Sequence, residues 1–118
     1  MKVFTSLDAI APIERWNDHG GRGVIFFRRV LEWSDFRTSI DFVDYTVIPA
    51  GSTIGRHEHH RNEEIYFIQG GYPLMVVDGQ VRRMGPGSFA IVRDGGSHEL
   101  INDTAEHVEI LVMQVGMR

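Results

Sequence analysis

Between Gly51 and Gly70 the chain reads GSTIGRHEHHRNEEIYFIQG, and His57 and His59 stand two residues apart. Alternate side chains of an extended strand project to the same side, so these two imidazoles can share one metal ion. Glu63 lies four residues further on. That is again an even offset, so a strand that continues or resumes in phase returns the Glu63 carboxylate to the same face. Glu58, His60 and Glu64 then fall on the other side, as a solvated polar surface. The apolar run Ile65, Tyr66, Phe67, Ile68 followed by Gly70 completes a strand with a turn signal.

A rigid metal site draws ligands from more than one segment, and a second segment supplies one. Gly87 to Asn102 reads GSFAIVRDGGSHELIN, a short apolar strand, an Asp94-Gly95-Gly96 turn and then His98. Three histidines and one carboxylate suit an octahedral ion with two positions open to water or substrate.

The two segments resemble the paired motifs of the cupin family. Gly51, His57, His59, Glu63 and Gly70 satisfy the first motif, and only Glu63 leaves its six residues before Gly70. Gly87, Gly95, His98 and Asn102 satisfy the second, with Arg93 where the family usually has proline. The resemblance implies an all-β double-stranded β-helix, or jelly-roll barrel, with one divalent transition metal (Fe, Mn, Ni, Cu, Co or Zn) held by His57, His59, Glu63 and His98. It also implies a fold that often forms homodimers, with the N-terminal arm as the segment to exchange. Such proteins include dioxygenases, isomerases, lyases and polyketide cyclases.

The residues outside the motifs agree with a small barrel. With 118 residues, 42% of them hydrophobic and 24% charged, the chain is sized for one domain over 1–118, an N-terminal arm or strand over 1–23 and a barrel core over 24–118. No cysteine is present, which removes disulfides, thiolate ligands and cysteine nucleophiles together. The net charge of −4 without a basic stripe argues against nucleic acid. Apolar runs are too short for a membrane span or a signal-peptide core, so a cytoplasmic protein is expected.

Strands are expected over residues 24–31, 39–48, 65–68, 72–78, 88–92, 98–102 and 106–115, and a short one over 1–8, with no convincing amphipathic helix. Asp78-Gly79 marks a tight hairpin. In the second of these strands Val43, Tyr45 and Val47 form the expected inner face. In the first, either Phe26 with Arg28 or Phe27 with Arg29 turns inward. Strand parity places Ile65, Phe67 and Leu100 nearest the metal, with Tyr45 and Met75 lining the same largely apolar pocket. Arg93 and Tyr45 are the polar candidates for a direct role. Arg93 meets a carboxylate or enolate if it turns inward and is surface if it turns outward. Asn102 is expected to brace its turn, and His19, His60 and His107 have no motif behind them.

The expected function is a metal-dependent enzyme acting on an aromatic or other small organic, oxygen-bearing molecule. Dioxygenase-type and isomerase- or cyclase-type chemistry both remain open. The alternative is a non-catalytic, metal-containing module that binds a small molecule.

Overall fold

β-branched and aromatic residues come in short runs punctuated by glycine, and each run becomes a strand. The computed structural model describes residues 1–117. Ten strands lie among them: β1 (Ile13–Trp16), β2 (Val24–Glu32), β3 (Ile40–Ile48), β4 (Thr53–Glu58), β5 (Asn62–Gly70), β6 (Leu74–Val77), β7 (Gln80–Arg83), β8 (Phe89–Val92), β9 (Ser97–Ile101) and β10 (Val108–Gly116). They form a six-stranded sheet in the order β1-β2-β3-β10-β5-β8 and a four-stranded sheet in the order β4-β9-β6-β7, with every pairing antiparallel. This is the expected double-stranded β-helix. No described helix is long and apolar enough to cross a membrane.

The first residues depart from expectation. Residues 1–8 contribute no strand; the segment ends in a 3-10 turn at Leu7–Ala9. The strand within residues 1–23 is β1, which pairs with β2. The β6-β7 hairpin forms as its sequence predicts, with Asp78 and Gly79 at φ of 50° and 80° in a two-residue turn of left-handed backbone. Asn102 braces its turn too. Fully buried, it donates from Nδ2 to the carbonyls of Ile48 and Glu106 and accepts the Thr104 amide and hydroxyl at Oδ1.

The interior divides into a packed part and a hollow part. Ile48, Ile68, Leu100, Val108 and Ile110 are wholly buried between the sheets. Ile25, Ile54, Tyr66 and Val112 belong to that core and also line an open cavity of about 360 Å3.

Strand faces around this cavity differ from those expected. On β3 the cavity side carries Phe42, Asp44 and Thr46, so Val43, Tyr45 and Val47 face outward. The outer face of the larger sheet is itself apolar, with Val43, Ile65, Phe67, Phe89, Leu111 and Met113 lining one shallow groove. Hydrophobicity therefore does not identify the inner face here. Tyr45 is buried on the outward side, where its hydroxyl donates to Glu109, and burial together with that carboxylate pushes its pKa up to about 12.

Candidate metal centre and cavity

β4 and β9 pair with His57 directly opposite His98. A register shift between Ile54 and His57 inserts a bulge, so these two residues, three apart, both line the cavity. His59 lies just past the end of β4 and stays in line through a backbone exchange with the β8-β9 turn. Its amide donates to Gly96 O at 2.9 Å, and the Gly95 amide donates to His59 O at 2.8 Å.

The carboxylate among the histidines is Glu64, not Glu63 as strand parity predicts. Parity carries across only if the chain stays extended, and between β4 and β5 it does not. Arg61 adopts a left-handed φ of 63°, its amide held by Asp94 Oδ1, and β5 restarts one residue out of phase. On β5 the buried side is Glu64, Tyr66 and Ile68. The same slip turns Ile65 and Phe67 to the outer groove and removes them from the pocket predicted for them.

The remaining predicted pocket residues also lie elsewhere. Leu100 and Met75 are packed in the core, and neither lines the histidine cavity. Tyr45 faces outward with Glu109, as described above. Arg93 is exposed and lines a separate surface depression with Asp78 and Arg82, because it follows the inward Val92 on β8 and alternation sends it out. The Phe27 and Arg29 face of β2 turns inward rather than the Phe26 and Arg28 face.

Four ligand atoms converge. His98 Nε2 lies 2.9 Å from His57 Nε2, 3.0 Å from His59 Nε2 and 3.2 Å from Glu64 Oε1, and His59 Nε2 lies 3.5 Å from that same oxygen. His57 Nδ1 donates to Gly55 O at 2.8 Å, so a neutral His57 carries its lone pair on Nε2. His59 Nδ1 meets Asn62 Oδ1 at 2.6 Å, which fixes the same tautomer. His98 Nε2 thus faces three acceptors with at most one proton to offer. A cation among them satisfies all four at once, and the residues present fit a metal ion.

Burial pulls the His57 pKa from 6.5 down to about 4; the Gly55 hydrogen bond opposes this, and the neighbouring histidines add to it. The unfolded chain therefore binds more protons than the folded one between those values. The stability contributed by neutral His57 is complete above about 6.5 and is lost as pH falls toward 4. Metal-free protein is expected to melt at a lower temperature at about pH 5 than at about pH 7, and His57→Gln to flatten that difference, as read by calorimetry.

Sequence reasoning missed several cavity residues. The His19 ring stacks on His57 with centroids 3.7 Å apart and planes 11° apart. Its loop packs against β4 because both contacting positions are glycines. A Cβ on Gly55 would lie 2.2 Å from His19 O, and one on Gly21 would lie 2.5 Å from Thr53 Oγ1. Asp18, on the same loop, is buried. The Tyr66 ring lies 4.7 Å from that of His98, and burial, then the carboxylates of Glu64, Asp18 and Asp44, raise its pKa well above 10. No spacing rule connects residues 15–19 with the histidine motif, which is why the sequence alone does not bring them to the site.

A family model described as the cupin domain matches residues 44–114, well over half of the chain, and contains all four converging residues. The chain is a cupin. Solved structures agree on the fold. A predicted oxalate decarboxylase from Thermotoga maritima superposes with a TM-score of 0.94 at 23% identity, over 98% of this chain and 100% of that one. The polyketide cyclase RemF from Streptomyces resistomycificus gives 0.80 at 15% identity over 98% and 80%. A cupin 2 conserved barrel domain protein from Salinispora arenicola gives 0.72 at 21% over 98% and 88%. No curated protein sequence matches this cupin. At such identities the likeness shows the fold, and the chemistry rests on this cupin's own residues.

Proposed function

We propose that this cupin is a metal-dependent enzyme acting on a small, oxygen-bearing organic molecule. The observation that carries the reading is the convergence of His57, His59, Glu64 and His98 at one wall of an open cavity, where an ion can meet both protein and substrate. Three imidazole nitrogens and one carboxylate oxygen suit a divalent transition metal such as manganese, iron, cobalt, nickel, copper or zinc. When bound, such an ion polarises a substrate oxygen or, if redox-active, exchanges electrons with dioxygen.

The chain's own groups set the conditions for that chemistry. Gly55 and Asn62 hold the ligand tautomers, and burial keeps His57 neutral. Burial and the carboxylates around it keep the phenolic proton on Tyr66, beside Glu64. Decarboxylation and cyclisation, the activities named for two of the similar structures, both build or discharge negative charge on oxygen and suit such a site.

The test is turnover. Protein loaded with each of these metals is incubated with a panel of small oxygenated acids, ketones and phenols, in air and without oxygen, and the mixture is read by mass spectrometry. At least one compound is expected to be consumed by wild type and spared by His57→Ala. Consumption that persists in His57→Ala would remove the metal centre from the chemistry. Tight binding without turnover under every metal would make the protein a binding module instead.

A further inference from the structure

We propose that Arg29 is the receptor for a carboxylate, making the ligand of this cavity a small organic acid with one carboxylate and a second oxygen for the metal. This rests on the metal-centre reading above. The histidine wall and Arg29 line the same cavity, so one small molecule can span both.

Arg29 and Asp44 stand directly opposite each other on β2 and β3, and both side chains line the cavity. Nε donates to Asp44 Oδ1 at 2.8 Å and Nη2 to Oδ2 at 3.0 Å. The guanidinium also lies over the Phe42 ring, 4.2 Å from its centroid, with Phe27 at 5.9 Å. Its plane is thereby fixed by a forked ion pair and an aromatic face, while Nη1 has no acceptor among the described residues. An ion pair whose arginine side chain is 42% exposed adds little to the stability of a barrel. A fixed guanidinium with one nitrogen free is, however, suited to receiving a planar anion.

One further observation points the same way. The Arg15 guanidinium sits over the same Phe27 ring at 4.6 Å, with a 3.4 Å contact to Asp18, so a second cation lines the same cavity. A cavity of about 360 Å3 limits the ligand to a small molecule.

The test compares acids with their neutral amides: acetate with acetamide, pyruvate with pyruvamide and salicylate with salicylamide. Each is titrated by calorimetry into manganese-loaded and metal-free protein after metal content has been measured. In wild type at least one acid is expected to bind about tenfold or more tighter than its amide. Arg29→Lys keeps a cation beside Asp44 but loses the fork, and is expected to weaken that acid by about tenfold. Arg29→Gln/Asp44→Asn removes both charges without orphaning either and is expected to abolish the preference, with metal content unchanged. If the double variant does not fold, Arg29→Lys carries the comparison. No acid preference in wild type, or one that survives both variants, overturns the inference and leaves the metal centre intact. Failure to load metal overturns the metal reading instead, and the Arg29-dependent preference is then read in the metal-free titration.

Discussion

Glu64→Ala is expected to weaken metal binding by more than about 100-fold, and Glu63→Ala to change it by less than about twofold. Alteration of outer-shell partners typically costs about ten- to a hundredfold in affinity, and loss of a directly ligating carboxylate exceeds that. Glu64 is buried, with Oε1 3.2 Å from His98 Nε2 and 3.5 Å from His59 Nε2, whereas Glu63 falls on the alternate side of β5. The adjacent pair is a controlled comparison, since both changes remove the same group from the same strand. Competition against a chromophoric chelator reads both affinities. An effect of Glu63→Ala equal to that of Glu64→Ala would mean that β5 does not hold the phase described above.

A saturating divalent ion is expected to raise the melting temperature by about 15 °C in wild type and by almost nothing in His98→Ala. An ion at about a thousand times its dissociation constant contributes about 4 kcal/mol to the folded state. In a chain of this size each kcal/mol moves the midpoint by about 3–5 °C. His98 is the ligand to remove because its Nε2 contacts the other three ligand atoms and it is 2% exposed, on the strand facing β4. Calorimetric scans with and without metal decide the point. A shift of equal size in His98→Ala would place the stabilising ion elsewhere.

Much of this was legible in the sequence where geometry is local. His57 and His59 share a face because they are two apart in extended backbone, and Asp78-Gly79 turns a hairpin because two left-handed residues suit it. What failed was phase across irregular backbone. Arg61 in left-handed conformation shifts β5 by one residue, which exchanges Glu63 for Glu64 and carries Ile65 and Phe67 out of the cavity. On β3, an apolar outer face hid the fact that the hollow end of the barrel prefers Asp44 and Thr46. His19 and Asp18 reach the site through glycine contacts between distant segments, which no periodicity records.

The most direct measurement is elemental analysis of protein purified without chelator, alongside Glu64→Ala, Glu63→Ala and His57→Ala. The structure predicts about one divalent transition-metal ion per chain in wild type and Glu63→Ala, and very little in Glu64→Ala and His57→Ala. Equal metal in all four, or none in wild type even after incubation with excess manganese, iron, cobalt, nickel or zinc, would contradict a metal centre built from His57, His59, Glu64 and His98.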